Sequence, residues 1–147
     1  MKSMWQDAAK RELQDRLTRL TPETPGQWGK FTAPQMVAHL AQSFRSSLGD
    51  LHVRPKTTPM RYSPIKQLVI YWLPFPKNVP TAPELLAGKP GDWASDVAEV
   101  HELMNRFVKR KPGQQWPDHA AFGRLTGHQW GILMYRHTDH HFTQFGV

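Results

Sequence analysis

The last thirteen residues, YRHTDHHFTQFGV, place His137, His140 and His141 within five positions of one another. An imidazole near neutral pH can titrate, relay a proton or ligate a metal ion. On a helical wheel of roughly 100° per residue, His137 and His141 share a face with Trp130, Leu133 and Met134, the stripe that should point inward. His140 lies about 60° to one side of His137, at the edge of that stripe. Two imidazoles at i, i+4 can bite one ion. The alternative is a solvated, titratable helix face, and the spacing alone leaves both readings open. An inward pair without acidic neighbours would otherwise be a costly way to fill a core.

A third imidazole, His39, sits in QMVAHLAQSF. Its side of the helix carries Gln35, Met36, Ser43 and Ser46, while the more apolar stripe is Val37, Leu40, Phe44 and Leu48. His39 therefore reads as facing a polar, small-residue surface suited to a cavity, where an ion keeps positions for water or substrate. Gln144 projects one turn beyond His141 and could orient a ligand imidazole. His140 reads as a proton shuttle or neighbour of the ligands, against a plain surface role. His101 shares an arc with Val97, Met104 and Val108, and reads either as a core histidine or as a cavity residue. Asp139 falls on the outer side as a salt-bridge partner, and His52, His119 and His128 fall in loops or at helix starts. The tryptophans read most simply as core, with Trp72 or Trp116 as the alternative candidates for a pocket wall.

Four stretches carry the periodicity needed to position these groups. The first runs from about Ser3 to Leu20, with Leu13, Leu17 and Leu20 on one face. The second opens on GKFTAPQM, where Thr32 and Gln35 form a capping box, Phe31 and Met36 a hydrophobic staple, and Pro34 sits harmlessly in the first turn. It should end at Leu48, before Gly49. The third spans about Trp93 to Lys111, with Trp93, Val97, Val100, Met104 and Phe107 inward. The fourth opens on GRLTGHQW, which repeats the same start through Thr126, Gln129, Leu125 and Trp130. Between the second and third, the proline-rich stretch from Asp50 to Gly91 reads as an ordered crossover holding one short helix, SPIKQLVIYWL. It is expected to pack through Leu68, Ile70, Tyr71 and Trp72. The fold class is all-α, a four-helix bundle with a long crossover between helices two and three.

At 147 residues the chain reads as one domain, 1–147, long enough to bury roughly two thirds of its unfolded surface. The absence of cysteine excludes disulfides, thiolate metal sites and a cysteine nucleophile. The charged start MKSMWQDAAKREL has no signal-peptide core, and the longest apolar run, LVIYWLPF, is too short to span a bilayer, so a cytoplasmic protein without membrane contact is expected. The net charge of +7 could steer an acidic small molecule. Its basic residues are scattered and no nucleic-acid motif accompanies them, so nucleic acid is not the expected partner.

Three stretches together, WGKFTAPQMVAHL, LPFPKNVPTAPEL and HAAFGRLTGHQWGILMYRHTDHHFTQFG, resemble the family catalogued as domain of unknown function 1569. That family is grouped with the DinB/YfiT-like superfamily of metalloenzymes. The resemblance spans about Trp28 to Gly146, and HxxHHxxQFG is its most specific part. It implies a bundle, often in up-down-down-up order, with a divalent ion held by one histidine of helix two and an HxxxH pair of helix four. These positions fall on His39, His137 and His141. Nickel, zinc and iron all suit imidazole ligands.

The implied function is a metal-dependent enzyme acting on a small molecule. By analogy with the wider superfamily, it would be a thiol-dependent transferase using a low-molecular-weight thiol, or else a hydrolase. A homodimer is compatible with this reading. The competing reading is a non-catalytic binding or interaction module, one that could be linked to nucleic acid, with a structural metal or none.

Overall fold

Thr32 and Thr126 do begin helices, each with the reciprocal bonds of a capping box. Thr32 N donates to Gln35 Oε1 at 3.0 Å and Gln35 N to Thr32 Oγ1 at 3.3 Å; Thr126 and Gln129 repeat this at 3.0 and 3.2 Å. Two N–H groups are satisfied at each helix start, so both boundaries are fixed locally. The computed structural model describes residues 1–77, 81–86 and 88–147. Among these lie six helices: α1 (Asp7–Leu17), α2 (Ala33–Leu48), α3 (Ile65–Tyr71), α4 (Pro83–Leu86), α5 (Trp93–Lys109) and α6 (Gly127–Gln144). No strand occurs among the described residues, so the all-α class holds. None of these helices is long and apolar enough to cross a membrane.

The helix ends differ from expectation where local chemistry intervenes. The first helix is shorter than the Ser3–Leu20 periodicity, although Met4 and Leu20 remain buried on either side of it. Gly49 ends α2 in the left-handed region at φ 85°, which glycine adopts without cost. The α5 helix starts on Asp92, whose carboxylate accepts Ser95 N at 3.0 Å. It stops two residues before the expected Lys111, which takes φ 63° ahead of Pro112.

The core joins Leu13 and Leu17 of α1, Met36, Leu40 and Phe44 of α2, Val100, Met104 and Phe107 of α5, and Trp130 and Phe142 of α6. Each such side chain contributes about 1.5–3 kcal/mol by leaving water. The α2 helix packs on α5 and α6, and α1 on α5 and α6. Trp5 lies flush against Gly131, where an added Cβ would meet its Nε1 at 2.1 Å. Buried Arg16 ties α1 to the end of α6 through Asp139 Oδ1 at 2.5 Å and Val147 O at 2.8 Å. Asp139 is thus the salt-bridge residue its outward position suggested.

The described part of the crossover holds two short helices, α3 and α4, where one was expected, and it docks differently. Ile70 is fully buried and Val69 and Tyr71 partly so, whereas Leu68 and Trp72 are 47 % and 76 % exposed. The Arg136 guanidinium of α6 supplies the remaining hold, donating to the carbonyls of Val69, Ile70 and Leu73. These carbonyls lie at the end of α3, where no intrahelical donor remains for them. Residues 78–80 and 87 of the crossover lie outside the described residues.

Candidate metal centre

The α2 and α6 helices meet through their histidines. His39 comes from the middle of α2; His137 and His141 come from the last two turns of α6, where a four-residue spacing stacks them on one face. His137 Nε2 lies 3.2 Å from His39 Nε2 and 3.2 Å from His141 Nε2. Ligand atoms of all three residues fall within 4.8 Å of one another.

Hydrogen bonds on the far side of two rings fix where their protons are. His39 Nδ1 lies 3.3 Å from the Leu85 carbonyl of α4, which can only accept, so Nδ1 carries the hydrogen. Gln144 Nε2 donates to Trp28 O at 2.7 Å, which turns Gln144 Oε1 toward His141 Nδ1 at 3.0 Å. That nitrogen also carries its hydrogen. The Nε2 atoms of both rings are therefore bare lone pairs, and His137 Nε2 can bring at most one proton between them. Three nitrogens sharing one hydrogen are poorly satisfied by one another and well satisfied by a cation.

Burial keeps the set neutral. His39 and His141 are 4 % and 8 % exposed. Loss of solvation pushes His39 down to about 4 and His141 to about 3, the second helped by its neighbour His39. His137 is held well below its ordinary value, first by burial and then by His141 and His39. Neutral imidazole is the ligating form, so no net proton has to be released at neutral pH. The two separations from His137 fit as well: two nitrogens each 2.0–2.1 Å from a tetrahedral ion stand roughly 3.3 Å apart. The donor set and its geometry both suit a divalent ion.

The cluster opens on a cavity of about 800 Å³. Its walls are mostly apolar, with Trp28, Phe31, Met60, Phe75, Leu85 and Phe122 prominent. The tryptophans lining it are Trp28 and Trp130. Of the two candidates for a pocket wall, Trp72 is solvent-exposed, and Trp116 is a core residue, as the simpler reading has it, packed edge-on against Trp5 and tilted against Phe107.

The other residues singled out by sequence separate clearly. His140 lines the cavity between Trp28 and Phe75, 6.0 and 6.1 Å from their ring centres. Gln144 is buried and bonded to His141, as a residue orienting that ring must be. Ser43 reaches the lining, but its hydroxyl is spent on the His39 carbonyl at 2.9 Å. Gln35 does not reach the cavity, because its side chain closes the capping box at the exposed start of α2. His101 is also away from it, half-buried on α5 within electrostatic reach of Asp15 on α1. His39 itself is buried rather than set in a polar surface, because α4 and α6 cover the side that the wheel left polar.

His119 is the loop residue its sequence position suggests, yet its ring lines the cavity. Its Nδ1 accepts from Ala121 N at 3.0 Å and Phe122 N at 3.2 Å. The sequence signal is HAAFG, a polar acceptor followed by small residues and a glycine. That pattern allows a side chain to bond its own backbone two and three residues on.

The family described as protein of unknown function (DUF1569) matches residues 5–146. The chain belongs to this family. No curated protein and no solved structure matches it. The family's span includes His39, His137, His141 and Gln144, and its description names no chemistry, so the reaction must be argued from the site.

Proposed function

We propose that this protein is a metal-dependent enzyme of the DinB/YfiT-like kind, built on a four-helix bundle within a single domain, with His39, His137 and His141 holding one divalent ion. The observation that carries the reading is the convergence of three neutral imidazole nitrogens that own at most one proton among them. Nickel, zinc or iron would suit the donor set. When bound, the ion supplies a Lewis acid that polarises a ligand oxygen or acidifies a water or thiol.

The chain's own residues do the rest. Leu85 O and Gln144 Oε1 hold two of the rings by their Nδ1–H groups, so the Nε2 atoms stay aimed at one point. The apolar walls keep bulk water from the substrate and strengthen electrostatic interactions inside the cavity. His140, beside the ligands on the cavity wall, is placed to hold a proton at a ring nitrogen. Three protein ligands, with no cysteine available for a fourth, support an open rather than a closed structural site. A transferase using a small thiol, or a hydrolase using water, is the reaction class this arrangement favours.

The cobalt-substituted protein tests this. Addition of 2-mercaptoethanol should produce a thiolate charge-transfer band, and the His39→Ala protein should lack it. A cobalt spectrum of four protein ligands, indifferent to thiols and other small ligands, would make the metal structural and favour a binding module instead.

A further inference from the structure

The cavity holds a second polar device that the metal reading does not use. His119 closes a tight loop whose backbone pairs with Gly123 in both directions, at 2.9 and 2.8 Å. Because its Nδ1 accepts two backbone N–H groups, that nitrogen carries no hydrogen, and the single N–H of the neutral ring lies at Nε2. The ring packs against Phe122 and Trp130, with centres 4.9 and 5.3 Å away, and lines the cavity. Among the described residues Nε2 has no hydrogen-bond partner within the protein. A whole loop thus holds one imidazole in one tautomer and leaves its donor for something else.

A lysine-bearing segment runs alongside its loop. Lys56 N donates to Ala120 O at 2.8 Å, and Thr58 Oγ1 and Arg61 Nη1 bond the carbonyls of Ala121 and Ala120 at 2.7 and 3.2 Å. These bonds clamp the Lys56 segment alongside the His119 loop. Lys56 and Lys30 both line the cavity, neither ammonium is paired with a carboxylate among the described residues, and no Asp or Glu lies in the lining. A cavity of about 800 Å³ with these walls suits a small organic molecule.

We propose that the cavity binds an organic carboxylate: its apolar body lies against Met60, Val69, Phe75 and Leu85, and its two oxygens are received by His119 Nε2–H and the Lys56 ammonium. One fixed N–H and one mobile ammonium match two carboxylate oxygens. As a statement about the substrate the inference rests on the enzyme reading above; as a statement about binding it stands on the cavity.

Calorimetric titration of the metal-free protein with decanoate, decanol and decyltrimethylammonium tests it. Decanoate should bind more tightly than decanol, and the cation should bind least. Lys56→Gln should weaken decanoate about three- to tenfold and leave decanol unchanged. His119→Asn keeps an oxygen to accept the two backbone N–H groups but removes the Nε2 donor, and should weaken decanoate about tenfold. Should that variant fail to melt cooperatively, Lys56→Gln, on an exposed side chain, carries the test. Equal affinity for decanoate and decanol, or wild-type decanoate affinity in Lys56→Gln, would overturn the inference. Zinc uptake measured on the same samples keeps the two claims apart. Charge-selective decanoate binding without zinc uptake would leave this inference standing and remove the enzyme reading; zinc uptake without charge selectivity would do the reverse.

Discussion

Histidines on two parts of the molecule face one cavity with the same ring nitrogen in opposite protonation states. His39 and His141, on helices, donate through Nδ1 to Leu85 O and Gln144 Oε1 and present bare Nε2 atoms. His119, on a loop, accepts at Nδ1 from Ala121 N and Phe122 N and presents an Nε2–H. Burial keeps all three neutral, pushing them down to about 4, 3 and 4 respectively. Charge therefore does not separate them; the partner of the hidden nitrogen does. A carbonyl behind the ring makes a ligand, and backbone N–H groups behind it make a donor.

The hardest blow to this contrast is His137→Ala. Because His137 Nε2 stands between the other two, zinc binding should fall to background by equilibrium dialysis. The rise in melting temperature on adding zinc at 100 times the dissociation constant, worth about 2.7 kcal/mol in the parent, should vanish. A variant that keeps stoichiometric zinc would break the helix side of the comparison.

Gln144→Ala should have the next largest effect. It leaves all three ligands in place but frees the His141 ring, and loss of such an orienting partner lowers metal affinity about 10- to 100-fold. Competition with a chromophoric chelator would measure the drop. His119→Asn, in the same assay, should leave zinc affinity unchanged, since the nitrogen it presents to the cavity carries a hydrogen and offers no lone pair.

Acid should act on the two sets together in the metal-free protein. A histidine whose folded value is depressed binds fewer protons folded than unfolded, so its contribution is intact above the ordinary value near 6.5. It is lost as pH falls toward about 4. The melting temperature of the metal-free protein should therefore drop between pH 6.5 and pH 4. His119→Asn should make that drop shallower; an unchanged slope would show that His119 is not buried in the neutral form.

The smallest effect belongs to His101→Gln. It lies on α5 outside the cavity lining, so zinc affinity should stay within experimental error of the parent. Any larger change would extend the site to a region the structure separates from it.

The sequence carried the helical half of this comparison and hid the other. His137 and His141 were legible because i, i+4 spacing on a well-capped helix determines a shared face. The capping boxes at Thr32 and Thr126 were legible because they are local. Gln35 shows the limit of such reasoning: one side chain cannot close a cap and line a cavity, and the nearer partner won. The burial of His39, the outward turn of Leu68 and Trp72, and the place of His101 outside the cavity depend on what packs against each helix, which a single-helix wheel does not contain. His119 was hidden for a further reason. Its role depends on which ring nitrogen its own loop occupies, and only backbone geometry decides that.

The central claim is that three imidazole nitrogens converge on one ion. X-ray absorption at the zinc edge, on tag-free protein loaded with one equivalent of zinc, tests it most directly. The expected result is three imidazoles at about 2.0–2.1 Å, falling to two or none in His39→Ala. Zinc scattering without imidazole, or an imidazole count unchanged by His39→Ala, would contradict it.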